Sequence, residues 1–106
     1  MNKEIAEKWC TALRSGEYKQ GLGSLCCEDK YCCLGVLCEL AVKEGAIEEY
    51  EKANSFPPEK VLKWSGLKTE NGYIRSAATS LVQLNDSDFY DFNQIADIIE
   101  DHVEEL

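Results

Sequence analysis

The chain has 106 residues with 11 basic and 20 acidic side chains, a formal net charge of −9, and 44% hydrophobic residues. That suits one packed domain over residues 1–106 and excludes both a disordered chain and a nucleic-acid track, which needs a basic surface. No apolar run approaches the roughly 18 residues of a membrane span, and the opening MNKEIAEKWC has no signal-peptide core, so the expectation is a cytoplasmic protein with no membrane contact.

Asn2 can cap a first helix whose apolar stripe is Ile5, Ala6, Trp9, Cys10 and Leu13, with Gly16 as its stop. Residues 17–25 are too rich in glycine for a helix, and Gly21 and Gly23 suit a turn with exposed backbone. Leu25-Cys26-Cys27 and Tyr31-Cys32-Cys33 can pair as a short hairpin around Glu28-Asp29-Lys30. From about Leu34 the period becomes helical, with Leu34, Leu37, Cys38, Leu40 and Ala41 in one stripe ended by Gly45. Residues 46–56 read as a loop or a short helical turn. Pro57-Pro58 opens a helix that buries Val61, Leu62 and Trp64 and stops at Gly66. Asn71-Gly72 predicts a hairpin flanked by Leu67-Lys68 and Tyr73-Ile74. Ala77–Leu84 reads as a buried helix broken by Asn85-Asp86-Ser87-Asp88. A last helix begins at Asp91, with Gln94 completing a capping box, and buries Phe92, Ile95, Ala96, Ile99 and Val103. The expected fold class is α+β: a compact single domain of four or five short helices with one or two small β-hairpins.

Six cysteines stand at positions 10, 26, 27, 32, 33 and 38. Without an export signal they read as reduced thiols packed as small hydrophobes rather than a disulfide framework. In a strand, each vicinal pair would place one thiol in the core and the other outside. The pattern CC-x4-CC-x4-C lacks the paired C-x2-C knuckles of a zinc site, so no metal and no cofactor is expected.

Motifs for catalysis are missing. The lone histidine, His102, lies among Asp101, Glu104 and Glu105, with no nucleophile in sight. There is no GxSxG elbow, P-loop, GxGxxG or HExxH, and no catalytic residue is assigned. Asp86, Asp88 and Asp91 imitate the start of a calcium loop, but Tyr90 holds its fifth position, Asp91 replaces the glycine, and Asp97 stands where a glutamate belongs. Phe92–Ile99 resembles the first helix of a helix-turn-helix, yet it is acidic and no recognition helix follows.

One set of residues remains. Arg14, Tyr18, Lys19, Gln20, Gly21, Gly23, Lys30 and Tyr31 combine cationic donors, aromatic faces and glycines that allow close approach. Those types suit an anionic small molecule, with Arg for phosphate and an aromatic ring for a base.

The strings ALRSGEYKQG from Ala12, YCCLGVLC from Tyr31, FPPE, WSGL, Leu84-Asn85-Asp86 and IADIIE cover nearly the whole chain. Together they resemble a family of small, largely uncharacterised phage and prophage proteins. Leu22 departs from that pattern, where a basic or polar residue is expected, and Cys26-Cys27 is peculiar to this sequence. The resemblance implies a counter-defence setting in the bacterial host cytoplasm. It adds Asn85 and Asp86 to a ligand-binding set of Arg14, Tyr18, Lys19, Gln20, Gly21, Gly23 and Tyr31. The expected function is a sponge that sequesters a small anionic ligand of the nucleotide second-messenger class, with a homo-oligomer able to build the site. The alternatives are an acidic inhibitor that binds a host defence protein and an enzyme that degrades such a signal.

Charge is unevenly distributed. Residues 1–43 hold 6 basic and 6 acidic side chains, whereas residues 86–106 hold 8 acids and no Lys or Arg. The neutral first half leaves room for a phosphate beside Arg14 and Lys19.

Overall fold

The computed structural model describes residues 1–106. Helix α1 (Lys3–Arg14) starts where Asn2 accepts the Ile5 N–H at 3.0 Å and buries the five apolar residues its periodicity picks out. It packs chiefly against α5 (Phe92–Asp101), which the Asp91–Gln94 capping box begins and which buries Phe92, Ile95, Ala96 and Ile99. Between them and the rest of the molecule runs α2 (Cys33–Lys43), where every residue from Cys33 to Cys38 is buried. An all-round apolar helix is a core helix, and α2 is the axis on which the others lean. Helix α3 (Glu59–Ser65) follows the Pro57-Pro58 step and ends on Gly66 in a left-handed conformation, as predicted. A last helix, α4 (Leu81–Asp86), closes the far side. The buried apolar side chains other than Cys26 form one contiguous cluster of 23 residues, and no helix is long and apolar enough to cross a membrane.

Two small sheets complete the α+β fold. In the first, β3 (Lys30–Tyr31) lies between β1 (Lys19–Gln20) and β2 (Cys26–Cys27). The β2–β3 hairpin turns through Glu28 and Asp29, both at positive φ (51° and 62°), the two-residue geometry that matches strand twist. In the second sheet β4 (Tyr73–Ile74) pairs antiparallel with β5 (Thr79–Ser80).

Four sequence expectations are corrected. Lys19-Gln20, expected within a turn, pairs in parallel with β3. Cys32-Cys33 leaves the hairpin early: Cys32 caps α2, its Sγ accepting the Gly35 N–H at 3.4 Å, and Cys33 is the first helical residue. Helical rather than strand geometry buries both thiols, so the alternation expected of a vicinal pair holds only for Cys26 (buried) and Cys27 (exposed). The Asn71-Gly72 turn forms, but its predicted flanks do not pair, because the Lys68 N–H is taken by the Leu106 carbonyl at 2.6 Å. Tyr73-Ile74 finds Thr79-Ser80 instead, across a 3-10 turn at Arg75–Ala77. That pairing removes the first half of the helix expected over 77–84. Ser80 starts α4 by accepting the Gln83 N–H, and the helix runs through Asn85 and Asp86 rather than breaking there.

Close approach explains Gly35. A Cβ at that position would stand 1.9 Å from the Leu25 carbonyl oxygen, so only glycine lets α2 press against the strand leading into β2.

Candidate functional site

Asn85 is fully buried on α4 and uses both ends of its amide. Its Oδ1 accepts the Cys33 N–H at 3.1 Å and Gln20 Nε2 at 3.2 Å; its Nδ2 donates to the Gly21 carbonyl at 2.9 Å and to Asp86 at 3.2 Å. Asp86 in turn accepts the Gly23 N–H at 3.2 Å, and Gln20 reaches on to the Tyr90 carbonyl at 3.0 Å. Five residues of the expected ligand set (Gln20, Gly21, Gly23, Asn85 and Asp86) are thus brought together, as one network that ties the 20–23 loop to α4 and to the start of α2. Every buried side-chain nitrogen and oxygen has a partner, as a satisfied interior requires. Gly21 is fixed by contact: a Cβ there would stand 2.7 Å from Lys30 Cβ.

Arg14 lies elsewhere. From the end of α1 its guanidinium bonds Glu100 and Asp97 on α5, and those bonds, Glu100 foremost, hold its charge in place. With two carboxylates around one guanidinium the local balance is negative, so Arg14 acts as a clamp between α1 and α5.

The short sheet divides the remaining candidates between its two faces. Lys19 and Lys30 are cross-strand partners, and Cys27 is the partner of Lys30 on the other side. All three are exposed, in one row. Gln20 and Tyr31 are the next pair and are half-buried on the opposite face. There the Tyr18 and Tyr31 rings meet edge to face, with centroids 5.3 Å apart, and Lys43 Nζ lies 5.5 Å from the Tyr18 ring centre. Lys43, which also meets Glu17 at 3.5 Å, has its pKa raised, first by its hydrogen bond to Tyr18. Burial pushes the Tyr31 hydroxyl up to about 12.

Burial holds the thiols of Cys10, Cys32, Cys33 and Cys38 neutral. Burial raises Cys33 well above its ordinary value, Cys38 to about 12 and Cys10 to about 11. A suppressed thiolate is neither a nucleophile nor a metal ligand, and nowhere do three His, Cys, Asp or Glu side chains converge as metal ligands would. His102 Nδ1 sits 2.7 Å from the Ile98 carbonyl at the end of α5.

Sequence reasoning missed an exposed apolar group. Leu22, Phe89 and Tyr90 line one depression of about 370 Å³ beside the Asn85 network. The available signal was an aromatic pair inside the acidic stretch Asp88-Phe89-Tyr90-Asp91.

The family described as "Domain of unknown function (DUF8296)" matches residues 1–103. The chain belongs to this family. No curated protein and no solved structure matches it.

Proposed function

We propose that this member of the family binds and sequesters a small anionic ligand, of the nucleotide second-messenger class, without turning it over. The observation that carries the reading is the Lys19–Lys30 pair. Like charges directly opposite one another in a ladder are unfavourable, yet here two exposed lysines are register partners and neither takes part in an ion pair. An anion between the two ammonium groups relieves that repulsion, and a phosphate has the charge and the acceptor oxygens to do so. The pair belongs to the half of the chain with balanced charge, although Glu28 and Asp29 sit in the turn beyond it. The Asn85 network holds the loop that follows β1 in place, so the lysines are presented on an ordered frame. Sequestration needs tight binding and no catalytic group, and in a phage setting it would remove a host alarm signal.

Thermal-shift and calorimetric titration with a cyclic mononucleotide, a cyclic dinucleotide, ADP-ribose and pyrophosphate tests the reading. At least one is expected to stabilise the protein and to be recovered intact by chromatography after incubation. The charge-reversed double variant Lys19→Glu/Lys30→Glu is expected to lose that binding at an unchanged melting temperature. Stabilisation by none of the four, or equal binding by the double variant, would overturn it.

A further inference from the structure

Phe89 is 81% exposed, Leu22 56% and Tyr90 36%, and all three border the same depression. Isolated exposed apolar side chains are ordinary; a cluster of them marks a contact surface. Hydrogen bonds tie down the two loops that carry this cluster. The Leu22 loop is anchored on both sides, by Gly21 N–H to the Tyr31 carbonyl at 2.7 Å and by Gly23 N–H to Asp86. The Phe89 loop is anchored by Gln20 on the Tyr90 carbonyl and by the Asp91–Gln94 capping box that follows. A loop backbone already tied down has less ordering left to pay for when its side chains meet a partner.

The charge around the cluster selects the partner. Asp88 and Asp91 line the depression and no Lys or Arg does; residues 76–106 contain neither. An anionic ligand is therefore repelled here, which separates this surface from the Lys19–Lys30 pair on the other face of β1. A second copy is disfavoured too, because a two-fold contact would set two acidic patches against each other on chains of net charge −9. Apolar rings edged by carboxylates suit a guanidinium, which stacks on an aromatic face while donating to a carboxylate.

We propose that the Leu22–Phe89–Tyr90 surface docks an arginine-bearing apolar segment of a partner protein, with Phe89 as the central contact and Asp88 and Asp91 pairing the cation. The test is fluorescence anisotropy at physiological ionic strength with a labelled peptide of alternating Arg and Leu, beside its Lys-for-Arg and Glu-for-Arg counterparts. The wild-type protein is expected to bind the Arg peptide several-fold more tightly than the Lys peptide and not to bind the Glu peptide. Phe89→Ser is expected to weaken the Arg peptide about tenfold or more, as loss of a central aromatic contact does, and Asp88→Asn by a smaller factor that shrinks in high salt. Because Phe89 is exposed, its variant should keep the wild-type melting temperature. Failure of the wild-type protein to bind the Arg peptide, or equal binding by Phe89→Ser, overturns the proposal. So does a wild-type dimer in sedimentation velocity that Phe89→Ser dissolves, since a second copy would then be the occupant.

Discussion

The side chain of Asn85 accepts the backbone N–H of Cys33 at 3.1 Å, across 52 positions of sequence. The carbonyl of the same Cys33 accepts the Trp9 indole N–H at 2.9 Å, so the first peptide groups of α2 are gripped from α4 on one side and α1 on the other. A helix start leaves unpaired N–H groups, and in a fully buried helix start water is not at hand to take them. Asn85 fills that role, and with its amide nitrogen it holds the Gly21 carbonyl as well.

Asn85→Ala should therefore be costly. It strands the Cys33 N–H and the Gly21 carbonyl and opens a small void; each unmet buried group costs about 1–3 kcal/mol, so a loss of about 3 kcal/mol is expected in urea denaturation. Asn85→Asp keeps the acceptor but sets a buried carboxylate oxygen against the Gly21 carbonyl and Asp86, and should cost at least as much as the alanine variant. A loss under about 1 kcal/mol for the alanine variant would show that the network is not a structural keystone.

Gly35→Ala tests the packing of α2 against the strand before it. The added Cβ would meet the Leu25 carbonyl oxygen at 1.9 Å and its carbon at 2.8 Å. Backbone atoms cannot rotate away as a side chain does, so the helix must shift bodily. We expect destabilisation of about 3 kcal/mol or more, or failure to accumulate as folded protein. Circular dichroism and thermal melting read the outcome; wild-type stability would exclude this contact.

Arg14→Ala is expected to do much less. The guanidinium bonds Glu100 and Asp97 on α5, but its side chain is 36% exposed and those of its partners 52% and 70%. Exposed pairs are screened, so the loss should be about 1 kcal/mol or less and should fade as salt rises. Calorimetry with whichever nucleotide binds should show affinity nearly unchanged, since the proposed anion site is the Lys19–Lys30 pair. A large drop in affinity at an intact melting temperature would move the site to Arg14.

Alkaline pH should loosen the core. Cys33, Cys38 and Cys10 have thiol pKa values raised by burial, from 9.0 to about 12 for Cys38 and about 11 for Cys10. The sign follows from proton binding: above pH 9 the unfolded chain gives up these protons while the folded chain keeps them. Stability is thus full below pH 9 and falls as pH rises toward 11, by about 1.4 kcal/mol per thiol per pH unit. Melting temperatures across that range, in reducing buffer, measure the slope. In the same preparations a native thiol titration should find Cys27 reacting fast and the five buried thiols reacting only on unfolding; a second fast thiol would contradict the burial of its neighbours.

Local chemistry was enough to place α1, α3 and α5. Their caps and stops (Asn2, Gly66, and Asp91 with Gln94) act within one turn, and the apolar stripes name the buried residues of α1 and α5, except that Val103 falls beyond the end of α5 and is half-buried. Elements decided by distant partners were not legible. Strand β1 exists because Lys30-Tyr31 lies beside it, and Cys33 joins a helix because Asn85 holds its N–H. The hairpin expected at Asn71-Gly72 fails because Leu106 claims the Lys68 N–H. The candidate site shows the same division. Composition and spacing singled out Arg14, Lys19, Gln20, Gly21 and Asn85 as polar or glycine positions with a purpose. Only the tertiary structure sorts them into a helix clamp, a pair of exposed lysines and a buried hydrogen-bond network. A side chain's type limits what it can bond, whereas its partner is set by contacts between segments far apart in the chain.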